Sequence, residues 1–394
     1  MNTNPKSSDK IKRVLISGGG TGGHIHPALA IADEIVLRNP NVEIRFVGAL
    51  GRMEMEKVPA AGYEIEGLWI SGVERKITSL KNLSFPFKLI SSLIKAGTLL
   101  RKYKPQIVIG VGGFASGPLL FRASKKGIPT LIQEQNSFPG ITNRILANKV
   151  QTVCAGFPGL ERWFPKERIV ETGNPLRSSV LKLADSKNTP PKSESCAHFN
   201  FKNDKPIIFI MGGSLGAKSM NSAVKNVLEH YASLEPSKQR LPYAVIWQCG
   251  ARFLEESTAW LKDFEKKYPE IARSVRCLGF IDRMDLAYAA ADIIASRAGA
   301  MSISELALVA KPTILIPSPH VSEDHQTKNA LSLVKRGASS LVKDHDVVEK
   351  LRMEIEALLL DQGKCEAMVT ALKTASRPNA SVIIADEVEK LLNL

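Results

Sequence analysis

The residues of this 394-residue chain best suited to chemistry gather at two glycine-rich turns. Gly18-Gly19-Gly20-Thr21-Gly22-Gly23 follows the apolar run Val14-Leu15-Ile16, and Gly212-Gly213-Ser214-Leu215-Gly216-Ala217 follows Ile207-Ile208-Phe209-Ile210. Glycines after a buried strand let the backbone turn sharply into a helix, whose first N–H groups favour phosphate. His24 closes the first turn. An imidazole there is either a polar cap residue or a general base that takes a proton from a sugar hydroxyl, and the adjacent helix start favours its neutral form.

A third turn has the same character. Ser296-Arg297-Ala298-Gly299 leads into Ala300-Met301-Ser302-Ile303-Ser304-Glu305. Its N–H groups could meet a diphosphate, and Glu305 could accept from ribose hydroxyls or be an ordinary first-turn carboxylate. Gln326, in Asp324-His325-Gln326, could both donate to and accept from a sugar.

Two chemistries are disfavoured. Gly18, Gly20 and Gly23 fit G-x-G-x-x-G, but the second strand ends Phe46-Val47-Gly48-Ala49-Leu50 without the carboxylate that a dinucleotide ribose requires. That argues against an NAD-dependent dehydrogenase. Asp344-His345-Asp346 reads as a solvated turn away from the ligand-binding strand ends, so no metal and no other cofactor is expected. Helix ends and arginines must then stabilise a leaving phosphate.

The elements that position these residues alternate strand, glycine loop and helix. Strands are expected at 14–17, 42–47, 107–110 and 128–132, with a helix opening at Pro27 and running to Arg38. The pattern restarts at Ile207, with strands at 244–248, 275–279, 293–296 and 313–317. Such alternation predicts an α/β protein of two Rossmann-like, doubly wound parallel-sheet domains facing across a cleft. The expected boundary follows Pro175, giving residues 1–175 and 176–380, with a polar surface loop at 183–204 and a terminal amphipathic helix near 381–394.

Composition adds a partner. The net charge of +14 points to an anionic one, yet no nucleic-acid recognition motif accompanies it. Five scattered cysteines suit a reducing compartment, and neither a signal peptide nor a run of about 20 apolar residues is present. Leu83–Lys104 interleaves Phe85, Phe87, Leu89, Ile90, Leu93 and Ile94 with lysines and arginines. It is either a core-facing helix or a surface that rests on anionic lipid.

Taken in order, Gly19-Gly20-Thr21-Gly22-Gly23-His24, Gly113-Phe114-Ala115-Ser116-Gly117-Pro118, Gln133-Glu134-Gln135-Asn136, Gly173-Asn174-Pro175-Leu176-Arg177, the 212–217 turn and Asp324-His325-Gln326 form one pattern. The chain resembles, from about Arg13 onward, the bacterial family 28 N-acetylglucosaminyltransferases that act on lipid-linked peptidoglycan precursors. The resemblance implies a GT-B fold, with the C-terminal helix crossing back onto the N-terminal domain. It also implies UDP-N-acetylglucosamine as donor and undecaprenyl-diphosphoryl-N-acetylmuramoyl-pentapeptide as acceptor, at the cytoplasmic face of the plasma membrane.

By motif, Ser214 and the turn Ala300, Met301, Ser302, Ile303, Ser304, Glu305 would hold diphosphate and ribose, and Ile281 would pair with uracil. Gln326 and Asn143 would reach the sugar, Thr21, Gly22, Gly23 and Arg177 would complete the donor site, and His24 would be the base. One departure is Gln133, where the family commonly has histidine. The rival readings are a UDP-N-acetylglucosamine epimerase of the same fold, the dehydrogenase, and a non-catalytic membrane-bound scaffold.

Overall fold

The computed structural model describes residues 13–72, 83–213, 215–321 and 324–392. The chain divides into two units, Met1–Arg177 with Pro378–Leu394, and Ser178–Arg377.

In the first unit, β1 (Arg13–Ser17), β2 (Glu43–Ala49), β3 (Glu64–Leu68), β4 (Ile107–Gly110), β5 (Thr130–Glu134), β6 (Thr152–Ala155) and β7 (Ile169–Glu171) form a parallel sheet. Its order is β3-β2-β1-β4-β5-β6-β7. The central strands are apolar throughout because both faces are covered. Leu15, Val47, Val108 and Ile132 pack on one side, while Val14, Ile16, Phe46 and Ile109 pack on the other. The helix Ala380–Leu392 completes the second layer, placing Ile384, Val388 and Leu391 in its core. Burying each such side chain contributes roughly 1.5–3 kcal/mol. Arg38 ties the helix down through Asp386, 2.7 Å away.

The second unit repeats the design with β8 (Ile207–Met211), β9 (Ala244–Gln248), β10 (Val275–Leu278), β11 (Ile293–Ser296), β12 (Thr313–Leu315) and β13 (Ser340–Leu341). The order is β10-β9-β8-β11-β12-β13, again parallel.

Register decides where the functional loops emerge. Ser17 lies opposite both Val47 and Gly110, so β1 and β4 end together while β2 runs on to Ala49. Met211 likewise lies opposite Gln248 and Ser296. In each sheet the order reverses beside the first strand, and ligands of open α/β sheets bind at such switch points, outside the carboxyl ends.

Two local expectations are corrected. The first helix spans Gly22–Arg38, opening at the glycine loop rather than at Pro27. Extended Thr21 caps it, and the Thr21 carbonyl accepts from the His24 and Ile25 N–H groups at 3.1 and 3.2 Å. Pro27 therefore removes one helical bond, that to the Gly23 carbonyl. The stretch expected as a surface loop contains the helix Lys192–His198, because Cys196 and Phe199 are apolar enough to be buried three residues apart.

Candidate active site

In the first unit, His24 stands in the opening turn of helix Gly22–Arg38, at the β1/β4 switch point. Its Nδ1 lies 2.9 Å from the Gly19 carbonyl oxygen. A carbonyl only accepts, so Nδ1 carries the proton and Nε2 the lone pair in the neutral ring. The loop after β4 makes room for the imidazole. Gly112 has φ +90°, and a Cβ there would come within 2.7 Å of His24 Cδ2.

The glycine loop is not simply an empty phosphate cradle. The Gly20 N–H donates to Glu54 Oε2 at 2.7 Å, and the Ala49 N–H donates to Oε1 at 3.0 Å. Glu54 is buried at 1% exposure. The carboxylate missing from the end of β2 thus arrives from the next helix and is spent on backbone, not on a ribose. Thr21, Gly22 and Gly23 remain at the helix start, where N–H groups lack a carbonyl one turn earlier.

Asn143 is buried in the short helix Ile141–Leu146 and donates Nδ2 to Glu134 Oε2 at 2.8 Å. Glu134 also accepts from the Asn136 and Gly140 N–H groups, so it shapes the loop between β5 and that helix. The Oδ1 of Asn143 is a buried acceptor with no hydrogen-bond partner among the described residues. Gln133 donates to Asn174 Oδ1 at 2.9 Å and accepts from Gln135, forming a buried amide cluster below the loop. Arg177, half-buried, closes the first segment of this unit.

In the second unit, the turn after β8 meets the turn after β9. Gly216 and Gly250 have φ +75° and +89°, and a Cβ on Gly250 would lie 2.2 Å from Gly216 Cα. Only hydrogen at both positions permits that approach. Ser214 lies outside the described residues.

Ala300, Met301 and Ser302 open the helix Ala300–Val309 behind an extended Gly299, directly after β11. Ile303 donates its N–H to Gly299, and the Ser304 hydroxyl bonds back to the Ala300 carbonyl at 3.0 Å. Glu305 is buried and accepts from the Tyr288 hydroxyl. Ile281 is buried just beyond the end of β10. Gln326 is narrower in scope than expected, because its Oε1 already accepts from the Ser318 N–H at 2.8 Å. Its amide Nε2 is what the side chain can offer a sugar.

Asp344 corrects another expectation. Far from a solvated turn, it accepts from Arg297 Nη1 at 2.5 Å and from Ser219 Oγ at 2.6 Å, bracing the segment after β11. The side chains of Arg297 and Asp344 are only 12% and 17% exposed. Among the described residues no group of three His, Cys, Asp or Glu side chains could hold a metal ion.

Helix Phe85–Tyr103 has two characters. Its second half buries Ala96, Leu99, Leu100 and Tyr103, whereas Phe87, Ile90 and Ile94 are 69%, 57% and 64% exposed along one stripe. Lys88 and Lys95 flank it, anchored on Ser71 Oγ and the Gly67 carbonyl. No helix among the described residues is long and apolar enough to cross a membrane.

Comparison with known proteins decides the family. Residues 14–155 match the glycosyltransferase family 28 N-terminal domain, and residues 207–383 match the family 28 C-terminal domain. The chain belongs to glycosyltransferase family 28. This family 28 chain is 48% identical, over 97% of its length and 98% of the relative's, to a protein of Christiangramia forsetii. That relative is named UDP-N-acetylglucosamine–N-acetylmuramyl-(pentapeptide) pyrophosphoryl-undecaprenol N-acetylglucosamine transferase. A Flavobacterium psychrophilum protein of the same name is 46% identical over 96% of this chain and 98% of its own. Among solved structures, the family 28 chain is similar to Acinetobacter baumannii MurG, with TM-score 0.72, 28% identity, and coverage of 96% of this chain and 99% of that one. The two doubly wound parallel sheets are the halves of the GT-B architecture.

Proposed function

We propose that this chain transfers N-acetylglucosamine from UDP-N-acetylglucosamine to the 4-hydroxyl of undecaprenyl-diphosphoryl-N-acetylmuramoyl-pentapeptide. The observation that carries this reading is the near full-length identity to transferases named for that reaction. These transferase-named relatives favour neither the epimerase nor the dehydrogenase reading.

The reaction is a single inverting displacement. The acceptor oxygen attacks the donor's anomeric carbon, the bond from that carbon to the diphosphate oxygen breaks, and UDP leaves with the electron pair. His24 Nε2 takes the hydroxyl proton. Its support is the Nδ1 contact with Gly19, which leaves the lone pair on Nε2. No resident metal is invoked. Helix N–H groups at Ala300, Met301 and Ser302, together with Ile303, Ser304 and Ser214, oppose the charge that grows on the diphosphate.

Glu305 accepts from ribose hydroxyls, Ile281 pairs with uracil through its backbone, and Gln326 donates to the sugar. Asn143 offers its unpartnered Oδ1 to a sugar hydroxyl. Thr21, Gly22, Gly23 and Arg177 complete the donor site. The exposed stripe Phe87, Ile90 and Ile94 rests on an anionic membrane surface and places the protein peripherally at the cytoplasmic face, where its lipid-linked acceptor is embedded.

The test is UDP release by the purified chain given donor and a lipid-linked acceptor. Release only in the presence of acceptor, with one N-acetylglucosamine added to it, is the expected result. Donor epimerised without acceptor would replace this reading with the epimerase, and vesicle binding without UDP release would replace it with a scaffold.

A further inference from the structure

One peptide unit joins a buried carboxylate to the candidate base. The N–H of the Gly19–Gly20 peptide donates to Glu54 Oε2 at 2.7 Å, and its C=O receives His24 Nδ1 at 2.9 Å. We propose that Glu54 is a positioning residue for His24, acting through this peptide, and that Glu54 rather than a ligand phosphate is the resident anion of the Gly20 N–H. The inference rests on the reading of His24 as the base.

The site is built for that carboxylate. A Cβ on Gly19 would fall 2.2 Å from Glu54 Cδ, and one on Gly48 would fall 2.6 Å from its Cγ. Two glycines, one in the loop and one in β2, therefore exist as room for the Glu54 side chain. Each carboxylate oxygen accepts a backbone N–H, from Ala49 and from Gly20, which fixes the plane of the Gly19–Gly20 peptide.

The chemical consequence follows from the peptide's polarity. An anion at the N–H end pulls electron density toward the C=O end, so the Gly19 carbonyl becomes a stronger acceptor for Nδ1–H. That holds the imidazole in the tautomer with Nε2 unprotonated, and it stabilises the imidazolium formed when Nε2 takes a proton. Gly112 seats the other edge of the ring, so the tautomer and the orientation are set together. Where a carboxylate usually touches a catalytic histidine directly, here a peptide bond intervenes.

The experiment is long-range proton–nitrogen NMR of the full chain with nitrogen-15-labelled histidine, the His24 signals being identified by their loss in His24→Gln. The expected spectrum shows neutral His24 protonated at Nδ1. A parent chain protonated at Nε2, or a mixture of tautomers, would overturn the proposal without any variant having to fold.

In Glu54→Gln the preference for the Nδ1–H form is expected to weaken. kcat is expected to fall by about 10-fold or more, while KM for UDP-N-acetylglucosamine stays within about twofold, and Glu54→Asp is expected to recover part of the loss. A Glu54→Gln chain that keeps the parent His24 spectrum refutes the relay, whatever its turnover. Near-normal turnover in His24→Ala, with a His24 spectrum that still responds to Glu54→Gln, refutes the base reading alone.

Discussion

Tyr288 donates its hydroxyl hydrogen to Glu305 Oε2 at 2.8 Å, and both side chains are buried in the second unit. The bond comes from helix Met284–Ala290 and fixes a carboxylate on helix Ala300–Val309. Tyr288→Phe removes it while keeping the ring. Because a hydrogen bond to a charged group contributes about 1.5–3 kcal/mol, a drop of that order in denaturant-derived stability is expected. KM for the donor is expected to rise more than kcat falls, which steady-state kinetics would read directly.

His24→Ala tests the base. General-base loss is expected to lower kcat by about 100-fold or more, with donor affinity, measured by calorimetry, nearly unchanged. A variant turning over at the parent rate removes His24 from the mechanism.

Gly250→Ala and Gly216→Ala test the contact of the two turns in the second unit. Each places a Cβ at positive φ and within 2.2 Å of backbone, at Gly216 Cα and at Cys249 O respectively. A loss of at least about 1–2 kcal/mol is expected, together with weaker UDP binding, because the glycine loop must shift to relieve the overlap. Thermal melts with and without UDP separate the two effects.

Phe87→Asp and Ile94→Asp test the exposed stripe. Cosedimentation with anionic vesicles is expected to weaken at least about tenfold for either, since each removes a side chain whose burial contributes roughly 1.5–3 kcal/mol. Added salt is expected to weaken the parent chain's attachment as well. Leu93, next to Ile94 on the same helix, is half-buried and does not belong to the exposed stripe.

Lys311 supplies a pH dependence. Burial pushes its ammonium below the usual lysine range, with Asp292 opposing part of the effect. The unfolded chain therefore holds this proton more tightly than the folded one. Stability is reduced below the folded pKa and recovers as pH rises toward the unfolded value near about 10.4. Lys311→Met is expected to melt at a higher temperature at pH 7, and the gap to the parent is expected to close as the pH passes about 10.

The sheets were legible in the sequence because their central strands are buried on both faces and read as unbroken apolar runs. Ile107–Gly110, Ala244–Gln248 and Ile293–Ser296 have the expected limits. The edge strands β7 and β13, three and two residues long, carry too few side chains to register a pattern. Glu64–Leu68 was hidden by its two glutamates, one exposed and one half-buried at the far end of the sheet.

The site was legible where backbone does the work and obscure where side chains reach across. Nothing in Arg52-Met53-Glu54-Met55-Glu56 marks Glu54 as the buried member, because its burial is decided by the glycines it meets at positions 19 and 48. Asp344 looked solvated for the same reason: its partner Arg297 is 47 residues away. A motif shows which groups are available, whereas the hydrogen bonds already formed show which are left for a ligand, as at Gln326.

The placement of Pro378–Leu394 in the first unit makes Ser178–Arg377 a long insertion in chain order. During synthesis the inserted unit emerges whole, while the β-sheet begun at Arg13 still lacks Ile384, Val388 and Leu391 on one face. The usual order, in which the N-terminal domain matures first, is thereby reversed. A truncation that stops before Ala380 would leave that face of the first sheet covered only in part, by helix Gly22–Arg38, so damage to the tail would be felt in the unit that carries His24.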